Sequence, residues 1–202
     1  AFALRGAKIV FVDIEPHTMN LDSGAVESAI TKKTKAIVCV HYAGLACDID
    51  KLLKISKKHN IHLIEDAAQA IGSSYKGKPL GTFGTFGCIS FHDTKNIHCG
   101  EGGALIINDD NFLDRAEVIR EKGTNRSAFF RGAVDKYRWI DRGSSYLMSE
   151  INACFLLDQI KSLDKVITKR MKLWEKYYED FKDSAIETSE IYPGKVHNAH
   201  MF

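Results

Sequence analysis

Short apolar runs recur along the chain, and several of them end beside a polar residue. Each run is four to six residues long, which suits a buried strand better than a helix. The runs occupy residues 8–12, 37–40, 61–64, 86–91 and 104–107. We predict a β-strand at each of them.

Apolar residues recur at helical spacing between these runs. Asp48 fits the N-cap of a helix over Ile49–His59, whose apolar face carries Leu52, Leu53 and Ile55. Further helices are predicted over residues 25–33, 111–121 and 149–183, the last broken near Leu163. Residues 123–146 combine glycines, aromatics and basic residues, and a loop of that length is usually functional or disordered.

The alternation of strands and helices predicts an α/β fold with a largely parallel sheet and right-handed crossovers. Open sheets of this kind hold their ligands at the carboxyl ends of the strands. Asp66 comes just past the run at 61–64, and Lys95 lies beyond the run at 86–91. We therefore expect both side chains at the ligand edge of the sheet.

Composition narrows the class of protein. The chain has 202 residues, of which 45% are hydrophobic and 27% charged, an ordinary composition for a folded domain with one sizeable core. Its formal net charge is +2 and its basic residues are spread out, so nothing favours nucleic acid or a membrane surface as partner. No apolar run approaches the roughly 20 residues of a membrane helix. Neither export nor membrane insertion is expected.

The cysteines and histidines indicate core packing rather than a metal site. The five cysteines are an odd number without CxxC spacing, which predicts free thiols in a reducing cytoplasm. The eight histidines add no metal-ligand spacing, so no zinc site is expected. His41 and His92 adjoin apolar runs, where a semi-buried, hydrogen-bonded histidine is the common state.

Asp66 and Lys95 form the pair with the clearest chemistry. A carboxylate can hold a pyridine nitrogen protonated, and a lysine with a lowered amine pKa can form a Schiff base. Pyridoxal 5'-phosphate (PLP) chemistry requires both groups. Taken alone, Lys95 would be an ordinary surface lysine and Asp66 would cap a helix beginning at Ala67. Their combination makes PLP chemistry the leading hypothesis.

Other side chains nearby suit the same cofactor. Gln69 lies one predicted helical turn after Asp66 and could hydrogen-bond the ring hydroxyl, while the hydroxyl of Ser90 could donate to the phosphate. The glycines of GEGG, residues 100–103, allow unusual backbone angles near a ligand or are purely structural. A basic set in the long loop forms either a solvated face or a clamp for a sugar diphosphate. It comprises Arg126, Arg131, Lys136 and Arg138.

These residues, in this order, resemble the sugar aminotransferases of the DegT/DnrJ/EryC1/StrS family. The motifs that carry the resemblance are EDAAQ, SFHDTK, EGGA and KIVFVD, and the match covers essentially the whole chain. The family implies the aspartate-aminotransferase fold type I and PLP as cofactor. Carried over to this sequence, Lys95 is similar to the internal-aldimine lysine, Asp66 to the pyridinium partner, Gln69 to the ring-hydroxyl contact and Ser90 to a phosphate contact.

The resemblance also implies a domain division and an assembly. Residues 1–148 would be part of the PLP-binding large domain, 149–190 a long helical connection and 191–202 the start of a small domain. The expected enzyme is a cytoplasmic homodimer. Because the family has further segments on both sides, we expect this chain to be a fragment of a longer protein, incomplete at both ends of its fold.

A narrower resemblance points to the substrates. GTNRSAFFRG, VDKYRW and GSSYLMSE are similar to the dTDP-4-amino-4,6-dideoxygalactose transaminases of enterobacterial common antigen synthesis. Such enzymes move an amino group from glutamate to a dTDP-linked 4-keto-6-deoxy sugar. Related sugar dehydratases have histidine at the position of Lys95, so transamination is favoured over dehydration. Many family members have asparagine at the position of Ser145, a residue that reaches the neighbouring subunit's cofactor phosphate. A catalytically incomplete α/β fragment is the alternative from another class.

Overall fold

The computed structural model describes all residues from 1 to 202. The strands are β1 (Ala36–Val40), β2 (His62–Asp66), β3 (Ser74–Tyr75), β4 (Lys78–Pro79), β5 (Phe86–Ser90), β6 (Gly103–Ile107) and β7 (Lys195–Val196). The α-helices are α1 (Ser23–Ala29), α2 (Ile49–His59), α3 (Leu113–Arg120), α4 (Arg126–Phe130), α5 (Glu150–Lys161) and α6 (Leu163–Phe181). The chain thus has the α/β fold that its sequence predicts.

The main sheet contains four strands in the order β1-β2-β5-β6. β1, β2 and β5 run parallel, in a register that aligns Val40 with Asp66 and Asp66 with Cys88. β6 pairs antiparallel with β5, because residues 91–102 return the chain directly along its neighbour. The expectation of a largely parallel sheet is confirmed, with an antiparallel strand at one edge.

The strand predicted at residues 8–12 is wrong. No regular structure forms there, and no backbone group of these residues hydrogen-bonds within the chain. Val10 and Phe11 are 61% and 91% exposed. An apolar run becomes a strand only beside another strand that satisfies its backbone groups, and this segment has no such neighbour. The other four predicted strands are confirmed as β1, β2, β5 and β6.

Helix α2 has the predicted bounds and covers one face of the sheet. Asp48 caps its start by accepting a hydrogen bond from the Lys51 amide at 3.3 Å. Leu52 and Ile55 are buried and share a core cluster with Leu63 of β2. The hydrophobic effect stabilises this packing, because each buried aliphatic side chain contributes roughly 1.5–3 kcal/mol to the free energy of folding.

Helix α1 is shorter than the 25–33 predicted from the sequence. Asp22 caps it, and Ile30 already has an extended backbone. Beyond it, the Thr34 hydroxyl accepts from the Thr31 amide and the Thr31 hydroxyl accepts from the Lys33 amide. These local side-chain hydrogen bonds compete with helix formation, which explains the early end.

The predictions for the second half are mostly confirmed. Residues 149–183 form α5 and α6, interrupted at Ser162 next to the predicted break. The helix predicted at 111–121 is found as α3 after a short 3-10 turn. Residues 123–146 are not wholly irregular, because they contain α4 and two isolated β-bridges.

A small antiparallel sheet joins distant parts of the chain. Its order is β4-β3-β7, so residues 195–196 pair with residues 74–75. The segment that follows β7 is thereby carried back to the carboxyl edge of the main sheet. None of the helices combines the length and the apolar character needed to cross a lipid bilayer.

Candidate functional site

The carboxyl ends of β1, β2 and β5 meet at one edge of the sheet. The His41 amide donates to the Asp66 carbonyl at 3.0 Å, and the Ala67 amide donates to the Cys88 carbonyl at 2.9 Å. The loops that leave these strands are therefore fixed side by side. This edge is where a parallel sheet holds its ligand.

Asp66 is the last residue of β2 and is half-buried at this edge. It does not cap a helix, because the residues after it form a turn in which the Ala70 amide donates to the Ala67 carbonyl. Its Oδ1 accepts from the Ala68 amide at 3.1 Å, while Oδ2 has no hydrogen-bond partner in the chain. One carboxylate oxygen therefore remains available to a ligand.

Gln69 is placed by this turn and not by the helical spacing that the sequence suggested. Its Oε1 accepts from the Ala43 amide at 2.7 Å, which fixes the orientation of the side-chain amide. Nε2 has no partner in the chain and can donate to a ligand. The turn, and not a helix, therefore sets the direction of the Gln69 side chain.

Ser90 and Lys95 lie at and beyond the carboxyl end of β5, the third strand that meets this edge. Ser90 ends β5, and its Oγ accepts from the His92 amide at 3.2 Å, which leaves the hydroxyl proton free. Lys95 is half-buried, and its amide donates to the His92 carbonyl at 3.0 Å. The loop from residue 91 to 102 thus holds both residues past the end of β5.

Two of the three GEGG glycines are required by close packing, whereas Gly100 has open space around it and a φ of +81°. A Cβ atom at Gly102 would lie 2.6 Å from Sγ of Cys99, and one at Gly103 would lie 2.9 Å from the Ile89 carbonyl oxygen. Side chains at these positions would push β6 and its loop away from β5. Close packing therefore accounts for Gly102 and Gly103, and the left-handed backbone conformation accounts for Gly100.

Residues in the segment after β7 support the site, and no pattern in the sequence pointed to them. Asn198 is fully buried, and its Nδ2 donates to the carbonyl oxygens of Gln69 and Ile71 at 2.9 and 2.8 Å. Asn96 donates in turn to the Asn198 carbonyl at 2.8 Å. These pairs are more than a hundred residues apart, so no local sequence pattern reveals them.

A second missed residue is Glu65, which lies beneath the site. It is fully buried, and its carboxylate accepts from His41 Nε2 at 2.9 Å and from the amides of Gly81, Phe83 and Gly84 at 2.9, 2.6 and 2.7 Å. Burial by itself would raise the pKa of Glu65, but these hydrogen bonds outweigh burial and lower it. Glu65 therefore anchors the turn between β4 and β5 as an ionised group.

His41 also links two cysteines. Donor atoms of Cys39, His41 and Cys47 all lie within 4.8 Å of one another, although their spacing suggested no such cluster. Both ring nitrogens are engaged, since Nδ1 accepts from the Cys47 amide at 3.2 Å and Nε2 contacts Glu65. His41 is thus the buried, hydrogen-bonded histidine that the sequence predicts. All five cysteines are free.

The basic residues of the long loop divide into two groups. Arg131 makes a bidentate ion pair with Glu117 at 2.9 and 2.8 Å, and Arg126 stacks over the Phe130 ring at 5.0 Å. Lys136 and Arg138 are exposed and make no ion pair. Arg131 is therefore already committed within the chain.

A model of the DegT/DnrJ/EryC1/StrS aminotransferase family matches residues 1–202. The chain belongs to this family. Aminotransferases of the DegT/DnrJ/EryC1/StrS family depend on PLP, and the solved relatives include a PLP form. The fold class is that of PLP-dependent aminotransferases, as the sequence predicted.

Individual relatives agree with this assignment. The chain is 36% identical over 200 residues to the uncharacterized protein MJ1066 of Methanocaldococcus jannaschii. The alignment covers 97% of this chain and 52% of that protein. The sugar aminotransferase CalS13 from Micromonospora echinospora superposes with a TM-score of 0.91 at 25% identity, over 100% of this chain and 56% of that one. The PLP form of Spr1654 from Streptococcus pneumoniae gives 0.86 at 27% identity, over 98% and 55%. The chain therefore spans about half the length of the relatives that it matches.

The groups at the sheet edge fit the cofactor of this family. A pyridinium needs a carboxylate oxygen, and Oδ2 of Asp66 is free. A ring hydroxyl and a phosphate need donors, which Nε2 of Gln69 and the hydroxyl of Ser90 can supply. Lys95 contributes the primary amine. The four side chains named from the sequence are thus chemically compatible with PLP.

Proposed function

We propose that this protein is a PLP-dependent aminotransferase whose amino acceptor is a nucleotide-linked keto sugar. The observation that carries the proposal is the edge shared by Asp66, Gln69, Ser90 and Lys95, each with an unused atom for a ligand. The membership of the chain in a family of sugar aminotransferases supports it. The proposal concerns the whole enzyme of which these residues form the site.

Each side chain has a distinct task in this proposal. PLP, when bound, supplies an aldehyde that takes up the amino group and a ring that withdraws electrons from the reacting carbon. Asp66 Oδ2 holds a proton at the ring nitrogen, because a nearby carboxylate favours the charged form of the ring. Nε2 of Gln69 orients the ring through its hydroxyl, and Ser90 donates to the phosphate.

Lys95 has two tasks. Its Nζ would be the attachment point that holds the aldehyde of PLP, and the amine would be free once the amino donor is bound. The free amine then moves a proton to or from the substrate carbon. Lysine suits both tasks because an amine can be a nucleophile and a base on a flexible side chain.

The finer assignment concerns the substrates. We propose glutamate as amino donor and a dTDP-linked 4-keto-6-deoxy sugar as acceptor, the reaction of dTDP-4-amino-4,6-dideoxygalactose transaminases. The support is the likeness of GTNRSAFFRG, VDKYRW and GSSYLMSE to those enzymes. A cytoplasmic homodimer remains part of this proposal. Lys136 and Arg138 are the basic groups left free to meet a diphosphate.

Borohydride reduction followed by peptide mass mapping tests the role of Lys95. In the intact protein loaded with PLP, we expect one pyridoxyl tag, on Lys95. Lys95→Ala should carry no tag and lose transamination by several orders of magnitude, because nucleophile and proton carrier are removed together. Lys165→Ala, at an exposed position on α6, is the control and should behave as wild type.

The contrary outcomes are specific. Retained transamination by Lys95→Ala would refute the assignment of the lysine. A tag on another lysine would refute the site. Formation of a sugar product without a new amine would show that the reaction is a dehydration and not a transamination.

A further inference from the structure

His200 lies at the candidate site and has no task in the reaction proposed above. It follows β7, and its side chain is half-buried. Nδ1 of His200 is 3.1 Å from Oδ1 of Asn96, the residue next to Lys95. The histidine therefore packs against the loop that carries the lysine.

The hydrogen bonds of Asn96 decide which nitrogen of His200 carries the proton. Nδ2 of Asn96 donates to the Asn198 carbonyl at 2.8 Å, so Oδ1 is the atom that faces the histidine. An amide oxygen only accepts hydrogen bonds, so Nδ1 of His200 must be the donor. A neutral ring then keeps its lone pair on Nε2.

The surroundings of His200 keep the ring neutral. Burial, followed by the positive charges of Lys95 and Arg170, lowers the pKa of His200 to about 4. Arg170 is held close because its guanidinium donates to the carbonyl oxygens of Ala199 and His200 at 2.9 and 2.7 Å. At neutral pH the ring therefore presents an acceptor and no charge.

Nε2 of His200 has no partner within the chain. It makes no hydrogen bond, and it is not among the buried polar atoms that lack one. The acceptor is therefore accessible from outside the chain. Its orientation is fixed at the other end of the ring by Asn96, so the lone pair is presented in one direction.

We propose that Nε2 of His200 accepts a hydrogen bond from a hydroxyl group of the keto sugar and so helps to select the amino acceptor. This inference rests on the function proposed above. It adds a recognition residue for one of the two substrates. No contact of His200 with the amino donor is needed.

The chemistry of the two substrates decides between them. A neutral lone pair needs a hydrogen-bond donor, and the hydroxyl groups of a sugar are donors. The carboxylates of glutamate and the phosphates of a nucleotide sugar only accept, so they would be repelled by Nε2. The amino group of glutamate is its one donor, and it is engaged in the reaction at the cofactor. An acceptor that a bound substrate covers but leaves unpaired also penalises a substrate without the matching donor.

Two substitutions separate this recognition from simple anchoring. Nδ2 of the asparagine in His200→Asn can still donate to Asn96, but the variant has no atom at the place of Nε2. His200→Gln carries an oxygen near the place of Nε2 and loses the short donor. His62→Asn, at the opposite end of β2, is the control.

The intact protein should be followed spectroscopically in each half-reaction, with the PLP form mixed with glutamate and the pyridoxamine form mixed with the keto sugar. With glutamate, we expect His200→Asn to react at the wild-type rate. With the keto sugar, kcat/KM should fall roughly 3- to 10-fold, the effect of one neutral hydrogen bond. His200→Gln should recover part of this loss.

Sugars that each lack one hydroxyl group complete the test. The wild-type protein should lose the same factor with one of these deoxy sugars, and His200→Asn should lose nothing further with it. A purely structural role would not produce this lack of additivity. In the unliganded wild-type protein, 15N NMR should find the proton of His200 on Nδ1.

The failures are distinguishable. If the wild-type protein does not react with glutamate, the proposed function falls and this inference falls with it. Equal losses in both half-reactions, or additive losses with every deoxy sugar, would overturn the inference alone. If the substituted proteins do not fold, a proton found on Nε2 in wild type would overturn it.

Discussion

Glu65 and Asp66 are neighbours in the sequence, yet they have different roles. Successive side chains of a strand point to opposite faces, so the two carboxylates separate at β2. Glu65 is fully buried and accepts four hydrogen bonds, whereas Asp66 is half-buried and keeps one oxygen free. The first is therefore committed to the fold and the second is available for chemistry.

Glu65→Gln should reduce the free energy of unfolding by about 3 kcal/mol, because an amide nitrogen would face donors that now meet a carboxylate oxygen. Chemical denaturation measures the change. Glu27→Gln is the matched control, since Glu27 is exposed and pairs with Lys58 at the surface. It should change stability little. A comparable loss in both variants would contradict the special role of the buried carboxylate.

The same carboxylate makes stability depend on pH. Its pKa in the folded protein is lowered, so Glu65 stabilises the fold above the unfolded value of about 4.3 and loses this effect as pH falls through the folded pKa. Between neutral and acidic pH, wild type should therefore lose more stability than Glu65→Gln. Parallel curves for the two proteins would show that Glu65 does not titrate in this way.

At the scale of elements, partners decide whether a pattern becomes structure. Helix α2 was predicted with correct bounds because its cap, its apolar face and its end at Asn60 agree. Residues 8–12 are as apolar as a strand, but no neighbouring strand pairs with them. A turn forms after Asp66 in place of a helix, and there the carbonyls of Gln69 and Ile71 accept from the distant Asn198 and not from amides one helical turn on.

Removal of the α2 cap should cost about 1 kcal/mol of unfolding free energy. Asp48 accepts from the Lys51 amide and from the Ser23 hydroxyl at 3.1 Å. Asp48→Ala therefore removes one hydrogen bond at the start of α2 and one that connects α2 to α1. Thermal denaturation would measure the loss. Lys57→Ala, exposed in the last turn of the same helix, should lie within about 0.5 kcal/mol of wild type. Equal effects of the two changes would mean that the cap contributes nothing.

At the scale of the whole molecule, the segment after β7 holds the site together. Asn198 joins the turn at Gln69 to the loop of Lys95, across more than a hundred residues of sequence. Arg170 of α6 fixes the same segment from the other side. The geometry of the site therefore depends on the last residues of the chain as much as on the sheet.

Asn198→Ala should loosen the site more than the rest of the fold. Two carbonyl groups would lose their donor, which costs roughly 1 to 3 kcal/mol and should speed amide hydrogen exchange at residues 67–73. Asn108→Ala is the matched control, because Asn108 also donates to two carbonyl oxygens, at Gly81 and Gly84. Its effect on exchange at 67–73 should be small. Faster amide hydrogen exchange throughout the protein in both variants would show that Asn198 does not stabilise residues 67–73 locally.

The sequence by itself determined the elements and the chemical groups. Apolar runs and helical spacing are local, so they located four strands of the main sheet and the long helices. The residue types at Asp66, Gln69, Ser90 and Lys95 were enough to propose a PLP site, and the family resemblance agreed with the comparison of the whole chain. These features depend on residues close together in the chain.

Only the tertiary structure decided how the site is assembled and which polar residues support it. Glu65, Asn198 and His200 look unremarkable in the sequence, and their roles arise from hydrogen bonds to distant residues. Burial and orientation are also collective, because each buried polar group must find its partner somewhere in the fold. The sequence therefore named the reactive groups, and long-range packing set their orientation, charge and availability.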